Sequence, residues 1–248
     1  MTHTTVPVIF DLDGTLVDPA RGISDGIAAA LTKLGLAVPG QAGLDAMIGP
    51  KLSHSLLHIA GVPAGQLEEA IGIYRAHYLA VGIGQSRLYP GIRALLESFA
   101  DAGRPVAVAT QKPEHLARIV LEHHDIAQLF RSIRGSAADE AAQGQSPSGK
   151  ADIVAAALAD LNTGNAVMVG DRAQDVAGAA ANGLDCIGVA WGFALDGELS
   201  EAGAVEIVHS APALHDAVTR MDTARTGNPV PGGRAAGIAG EVPADGNV

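Results

Sequence analysis

Short apolar runs that look like buried β-strands alternate with amphipathic, helix-like segments through most of this sequence. Strands separated by helical patterns of about 10–15 residues are typical of βαβ units, which build parallel sheets. The alternation therefore predicts an α/β fold, with a doubly wound parallel sheet and helices on both of its faces. The strand-like runs are VIF (8–10), PVAVAT (105–110), FRSIRGS (130–136), AVMVGD (166–171), CIGVAWG (186–192) and EIVHS (206–210).

The stretch from residue 19 to residue 86 breaks this alternation, because it holds helical patterns and no convincing strand. Strand-like material lies on both sides of it, so we interpret 19–86 as a helical insertion that caps one edge of the sheet. The predicted core domain comprises residues 1–18 and 87–222. Residues 223–248 are rich in Pro, Gly and Ala and lack amphipathic periodicity, which predicts a disordered tail. A polar loop at 137–149 interrupts the core.

Composition argues against several classes of protein. The formal net charge of −11 argues against a nucleic-acid partner, although a local lysine or metal ion can still hold a phosphorylated small molecule. No unbroken apolar run approaches ~18 residues, so neither a membrane span nor a membrane partner is expected. The N-terminus lacks an export signal, and the single cysteine, Cys186, cannot form an internal disulfide; both favour the cytoplasm. A monomer and a homodimer remain equally open.

Two aspartates follow the first strand-like run at once. Asp11 and Asp13 come directly after VIF, and Gly14 behind them permits a tight turn. Carboxylates that lie close together repel each other, so a cation should lie between them or their protonation must differ. A metal ion satisfies the first condition. The sequence therefore predicts a metal site at the carboxyl end of this strand.

Other polar residues fall at the ends of later strand-like runs. Ligands bind beyond the carboxyl ends of the strands in open α/β sheets, so these side chains should meet the two aspartates at one edge. Aspartate is a poor strand residue and is costly to bury unpaired, which makes a purely structural explanation of so many carboxylates weak. The residues expected there are Thr110, Gln111, Lys112, Lys150, Asp171 and Asp175.

Four motifs in order then resemble those of the haloacid dehalogenase (HAD) superfamily: DLDGTLVD, the threonine that ends VAVAT, Lys150, and GDRAQD. The resemblance covers about residues 6–221 and implies a Rossmann-like HAD core. Because the insertion follows the first motif directly, it resembles the C1 cap of one subgroup. GPKLSHSL (49–56), YPGIRALL (89–96) and TQKP (110–113) resemble the phosphoglycolate-phosphatase-like branch.

The resemblance implies roles for the aspartates. Asp11 would be the nucleophile that forms an aspartyl-phosphate, and Asp13 the general acid and then the general base. Mg²⁺ would be held by Asp11, the main-chain carbonyl of Asp13, and Asp171. Asp175 would contact metal-bound water or orient Lys150. An aspartate at position 13 favours a phosphatase over a dehalogenase, which needs no acid there for the leaving group.

The resemblance also implies a phosphate-binding set of Thr110, Gln111 and Lys150. Gln111 departs from the branch, which more often has Asn or Ser at that place. Lys150 is followed by alanine, whereas many relatives have Lys-Pro, and the loop before it is long. Lys112 therefore competes with Lys150 for the role of the phosphate-binding lysine.

The cap segment GPKLSHSL offers Lys51, Ser53 and His54 as candidates for selecting the substrate, since the matching loop of relatives faces the active site. An ordinary solvated helix start explains these three residues equally well.

Together these features predict a Mg²⁺-dependent phosphomonoester hydrolase that acts on a small phosphorylated metabolite, phosphoglycolate-like or a nucleotide or sugar phosphate. One alternative is a phosphotransferase that passes the phosphoryl group from Asp11 to a protein or small-molecule hydroxyl. Another, of a different class, is a non-catalytic regulatory or binding protein on the same scaffold.

Overall fold

The computed structural model describes residues 5–19, 21–137 and 149–226. Among these residues, six parallel strands form one sheet and two short strands form an antiparallel ladder. The strands are β1 (Val8–Phe10), β2 (Val17–Asp18), β3 (Arg87–Leu88), β4 (Val106–Pro113), β5 (Ser132–Ser136), β6 (Val167–Gly170), β7 (Asp185–Val189) and β8 (Glu206–Val208). The large sheet has the order β5-β4-β1-β6-β7-β8, which confirms the predicted doubly wound α/β class.

Helices surround this sheet and fill the segment between β2 and β3. Short π-helical turns at Ser55–Ile59 and Tyr78–Gly82 extend two of them, and 3₁₀ turns lie at Ala64–Gln66 and Ala127–Leu129. The α-helices are α1 (Gly22–Lys33), α2 (Gln41–Asp45), α3 (Leu52–His54), α4 (Leu67–His77), α5 (Ile83–Gln85), α6 (Ile92–Asp101), α7 (Glu114–His123), α8 (Lys150–Leu161), α9 (Ala173–Ala180), α10 (Glu198–Ala202) and α11 (Ala211–Thr226). None of the helices in the described part of the chain is long and apolar enough to cross a membrane.

The central strand β1 is buried on both faces, as an unbroken apolar run predicts. Val8 and Phe10 pack into one hydrophobic cluster together with side chains of α6, α7 and α11. Ile9, which points the other way, packs into a second cluster with side chains of α8 and α9. Full burial of each such side chain contributes about 1.5–3 kcal/mol to the free energy of unfolding. These contacts hold in place the strand that Asp11 and Asp13 follow.

The strand order places three strand ends side by side. β1 lies between β4 and β6, and Ile9 is in register with Ala107 on one side and Met168 on the other. The chain reaches β4 and β6 by crossovers in opposite directions from β1, which makes this the topological switch point where ligands bind.

The short ladder between β2 and β3 joins the two ends of the segment that was predicted to be a cap. Val17 pairs with Leu88, and Asp18 pairs with Arg87. The sequence did not reveal this ladder, because strands of two residues carry no periodicity. Between the two strands, the described residues form α1 to α5 and their connecting turns, with no strand.

The last helix is longer than the sequence indicated. It continues to Thr226, beyond residue 222 where the core domain was predicted to end, so it enters the stretch predicted to be a tail. Near its end, Asp222 accepts hydrogen bonds from Arg104 Nη2 at 2.6 Å, Arg104 Nη1 at 3.0 Å and the Val6 backbone at 2.8 Å. The rest of the predicted tail, and residues 138–148 of the polar loop, lie outside the described residues.

Asp222→Ala should lower the free energy of unfolding by about 3 kcal/mol, because it leaves the Arg104 guanidinium buried without its carboxylate. The Arg104 side chain is only 4% exposed. Urea denaturation of the full chain measures the change. Asp216→Ala, on the exposed side of the same helix, is the matched control and should change stability by less than about 0.5 kcal/mol. Equal effects of the two substitutions would contradict a structural role for the Arg104–Asp222 pair.

Candidate active site

The carboxyl ends of β1, β4 and β6 bring the predicted motif residues together. Asp11 and Asp13 follow β1, Thr110 lies within β4, and Asp171 follows β6. All four side chains are buried. Gly14 has a φ of +88° and lies against Asp171, so closely that a Cβ at position 14 would be 2.1 Å from Asp171 Oδ2. Only glycine permits both this turn and this approach.

Lys150, the first residue of α8, joins two of the carboxylates. Its Nζ lies 2.6 Å from Asp11 Oδ1 and 2.6 Å from Asp175 Oδ1. Burial opposes the charge of Lys150, but the two carboxylates outweigh it and raise the pKa of this lysine. Burial raises the pKa of Asp175 to about 6 against the opposing effect of the lysine. The Asp175 carboxylate also accepts a hydrogen bond from the Arg172 backbone at 3.0 Å.

Lys112 has a different partner. Its Nζ donates to Asp13 Oδ2 at 2.6 Å and lies 4.6 Å from the centre of the Tyr78 ring, which comes from the segment between β2 and β3. Lys150 therefore pairs with Asp11 and Asp175, whereas Lys112 pairs with Asp13. Each of the two aspartates that follow β1 thus has an ammonium group beside it, and the two ammonium groups come from different elements.

Asp13 combines an ion pair with an open oxygen. Its Oδ1 is buried and has no hydrogen-bond partner among the described residues. Burial raises the pKa of Asp13, and the Lys112 ammonium only partly opposes this. A carboxyl group with a raised pKa and a free oxygen can carry a proton to a bound group and later take one back.

Asp171 is fixed from two sides. Its Oδ1 accepts a hydrogen bond from Thr15 Oγ1 at 3.0 Å, and its Oδ2 accepts one from the Phe193 backbone at 2.8 Å. Trp191 Nε1 in turn donates to the Thr15 carbonyl at 3.1 Å. Thus the loop after β7 and the turn after β1 together hold the Asp171 carboxylate in place.

The carboxylates of Asp11, Asp171 and Asp175 form a cluster that fits a metal ion. One oxygen from each lies within 4.8 Å of the other two. Burial, and then the nearby charges of Asp175 and Asp11, raise the pKa of Asp171 well above its ordinary value. Such a group of buried oxygen donors suits a hard divalent cation, which would relieve their mutual repulsion.

A cavity opens between the carboxyl ends of β1 and β4 and the helical segment between β2 and β3. Asp11, Asp13, Thr110, Gln111 and Lys112 form its polar floor. Its remaining wall is mostly apolar, with one arginine, and consists of Ile23, Met47, Ile48, Gly49, Pro50, Leu52, Tyr74, Arg75, Pro113 and Leu116.

The three substrate-selecting candidates are not among the residues that line this cavity. Ser53 is buried, while His54 is exposed and its ring centre lies 4.7 Å from that of His58. Lys51 lies between two lining residues without lining the cavity itself. The backbone and apolar side chains just before α3 form this part of the wall instead, and they carry no polar signature in the sequence.

Comparison with known proteins bears on the same residues. A family model described as haloacid dehalogenase-like hydrolase matches residues 8–189, which include every motif of the site. The chain belongs to the haloacid dehalogenase-like hydrolases.

Relatives within the haloacid dehalogenase-like family have several names. "Tyrosine-protein kinase PtkA" of Mycobacterium tuberculosis is 41% identical over 82% of this chain and 68% of that protein. A "5'-nucleotidase" of Pseudomonas aeruginosa is 35% identical, over 77% of this chain and 86% of that protein. A "phosphoglycolate phosphatase" of Yersinia pseudotuberculosis is 33% identical, over 75% and 81% respectively. The crystal structure of a predicted phosphatase from Clostridium acetobutylicum superposes with a TM-score of 0.80, at 37% identity, over 88% of this chain and all of that one.

Sequence reasoning missed three contributors to this haloacid dehalogenase-like site. Thr15 could have been found, because a hydroxyl two residues after Asp13 lies next to the same turn. Phe193 acts through its backbone N–H, which no side-chain pattern reveals. Arg172, which follows Asp171 directly, is buried and forms an ion pair with Glu198.

Proposed function

We propose that this protein is a Mg²⁺-dependent phosphomonoesterase that acts on small phosphorylated metabolites through an aspartyl-phosphate on Asp11. The observation that carries the proposal is the pair of lysine–aspartate contacts at the end of β1. Asp11 is paired with Lys150 and Asp13 with Lys112, each at 2.6 Å. One carboxylate is thereby held ready for attack and the other for proton transfer. Membership of the haloacid dehalogenase-like hydrolases and the names of relatives, a 5'-nucleotidase and phosphoglycolate phosphatases, support the phosphatase class.

In the first half-reaction, a carboxylate oxygen of Asp11 attacks phosphorus and the ester P–O bond breaks. Asp13 donates a proton to the departing oxygen, and the alcohol product leaves with that proton. In the second half-reaction, Asp13 removes a proton from water, whose oxygen attacks the phosphorus of the aspartyl-phosphate. The bond between phosphorus and the Asp11 oxygen breaks, inorganic phosphate leaves, and Asp11 is again a carboxylate and Asp13 again protonated.

The transferred group carries negative charge, which Thr110 and Lys150 would stabilise from one side. Mg²⁺ would be held by Asp11, the main-chain carbonyl of Asp13, and Asp171, with Asp175 close by. When bound, the ion supplies Lewis-acid stabilisation of charge on the phosphoryl oxygens. The all-oxygen donor set and the crowding of carboxylates support the choice of a hard cation.

We further propose that the segment 19–86 acts as a cap whose inner wall selects the organic part of the substrate. The cavity wall is apolar around a single guanidinium, that of Arg75. A wall of this kind favours a leaving group with an aromatic or apolar body over a two-carbon acid, because apolar area removed from water contributes about 25 cal/mol per Å².

A panel of phosphomonoesters assayed with Mg²⁺ tests the proposal. Aryl phosphates or nucleoside monophosphates should give a kcat/KM about tenfold higher than phosphoglycolate, as the burial of an additional ring predicts. Released inorganic phosphate should account for all phosphoryl groups lost from the donor, with and without added alcohols. Label appearing on an acceptor hydroxyl would instead identify a phosphotransferase. No turnover of any compound in the panel would favour a non-catalytic binding protein.

A further inference from the structure

Arg172 connects the catalytic edge of the sheet to the wall of the cavity. It follows Asp171 directly, immediately precedes α9, and is buried although it is an arginine. A buried guanidinium needs partners for its donors, so its neighbours define what it does.

One side of the guanidinium faces the core. Arg172 Nε donates to Glu198 Oε1, in the first turn of α10, at 2.9 Å. The same Glu198 carboxylate accepts hydrogen bonds from the backbone N–H groups of Ala173 at 2.8 Å and Leu195 at 3.0 Å. The Glu198 carboxylate, which these two backbone N–H groups hold in place, thus fixes one side of the Arg172 guanidinium.

The other side of the guanidinium reaches the cavity wall. Arg172 Nη1 donates a short hydrogen bond to the backbone carbonyl of Ile48, which lines the cavity. The next residue, Gly49, has a φ of +103°, and a Cβ there would lie 2.9 Å from Arg172 Cγ. The wall segment therefore passes directly over the aliphatic stem of the arginine as well as over its charged end.

These contacts matter for function because they join the cavity wall to the carboxylate cluster. The segment 47–50 supplies four residues of the cavity wall, and the residue before Arg172 is the Asp171 of the carboxylate cluster. An arginine can donate from Nε and Nη1 at once, whereas a lysine in its place could satisfy only one of two separated acceptors.

We infer that Arg172 is a positioning residue that holds the wall segment 47–50 against the catalytic edge and so sets affinity for the organic part of the substrate. The inference about affinity rests on the proposed phosphatase function, whereas the tethering of the segment does not. Arg172 contacts neither Asp11 nor Asp13 through any hydrogen bond found among the described residues. Its loss should therefore weaken binding of cavity-filling substrates more than it slows the chemistry.

Arg172→Met, which keeps the stem and removes the donors, is the direct test. KM for p-nitrophenyl phosphate should rise about tenfold, because the wall that contacts the ring loses its tether, while kcat changes little. KM and kcat for acetyl phosphate, which has no ring to contact the wall, should stay within about twofold. Arg172→Lys should restore at most part of the affinity.

Hydrogen–deuterium exchange of the peptide that contains residues 47–52 provides a readout independent of activity. It should become about tenfold faster in Arg172→Met, as expected when a tether is lost. Glu198→Ala, which leaves the arginine donors in place but removes their anchor, should show the same change to a smaller degree. Arg134→Met is the matched control, because Arg134 forms a similar bidentate pair with Asp160 at 2.6 and 2.8 Å, outside the cavity.

The outcomes separate the two proposals. Exchange that is unchanged in both Arg172→Met and Glu198→Ala would overturn the tether. Equal loss of kcat for both phosphates, with KM unchanged, would place Arg172 in the chemistry and would also overturn the inference. A wild-type protein that hydrolyses neither phosphate would reject the proposed function, and faster exchange in the variants would still support the tether.

Discussion

Asp11→Asn should abolish turnover and leave no phosphate on the protein, whereas Asp13→Asn should still become phosphorylated. An amide at position 11 has no carboxylate oxygen to attack phosphorus, so the first covalent step is lost altogether. An amide at position 13 removes only the proton donor and acceptor, a contribution of about 10²–10⁴ in rate. An aryl phosphate needs little protonation of its leaving group, so phosphoryl transfer to Asp11 should survive while hydrolysis becomes slow.

Rapid-quench experiments with labelled p-nitrophenyl phosphate measure the difference. Acid-stable, hydroxylamine-sensitive label should accumulate on Asp13→Asn and be absent from Asp11→Asn. Asp185→Asn is a useful control, because Asp185 begins β7 at the opposite edge of the sheet and should behave like the wild type. Label on Asp11→Asn but not on Asp13→Asn would show that the two roles are exchanged.

The ion pair between Asp13 and Lys112 complicates this comparison in a way that can be controlled. Both side chains are less than 10% exposed, so Asp13→Asn leaves a buried ammonium without its anion. Such a loss commonly costs about 3–5 kcal/mol of stability. The double variant Asp13→Asn/Lys112→Met removes both charges and should recover part of that stability. If the double variant also accumulates labelled protein, the result for Asp13→Asn does not stem from misfolding.

The fold was predictable where the sequence signal was long. Each of the six predicted runs overlaps a strand of the large sheet. The central strands β1 and β6 are fully buried and continuously apolar, as buried parallel strands require. β5 and β8 contain polar residues and were recognisable from their alternation with helical segments. β2 and β3 left no such signal, since a pair of residues in each strand shows no alternation. The extension of α11 to Thr226 was also missed, because the sequence beyond residue 222 carries no amphipathic pattern. The contact of Asp222 with Arg104 joins residues that are far apart in the sequence, so no local pattern predicts it.

The convergence of Asp11, Asp13, Thr110 and Asp171 was predictable for a topological reason. The carboxyl ends of neighbouring parallel strands share an edge, so residues that follow those strands must lie near one another. The division of the lysines was not predictable, because the sequence left Lys112 and Lys150 in competition for one role and only distances in space assign Lys112 to Asp13.

The wall of the cavity was the least predictable part of the site. Polar residues drew attention to Lys51, Ser53 and His54, yet the cavity is lined by their apolar neighbours. Arg172 contacts that wall through a backbone carbonyl, and backbone acceptors are identical at every position of a sequence. Contacts of this kind emerge only from the folded chain.

Removal of divalent metal should abolish activity, and Mg²⁺ should restore it while Ca²⁺ does so poorly. The expected loss is on the order of 10³-fold or more, because the charge on the transferred group would lose a stabilisation worth several kcal/mol. Ca²⁺ takes more oxygen ligands in a looser geometry than Mg²⁺, which would disturb the alignment of Asp11 with phosphorus. Dialysis against EDTA, followed by assays with each cation, measures the effect. Full activity in chelator would contradict the assignment of a metal.

Binding of the metal can be followed without turnover. The pKa of Asp171 is raised by burial and by its neighbours Asp175 and Asp11, so this carboxyl retains a proton to higher pH than usual in the metal-free chain. Metal uptake must displace that proton, so calorimetric titration with Mg²⁺ should release protons and show weaker affinity as the pH falls. Asp171→Asn should lose the binding heat, whereas Asp160→Asn, whose carboxylate pairs with Arg134 outside the cluster, should keep it. Undiminished binding to Asp171→Asn would move the metal away from the end of β6, even if activity still required the ion.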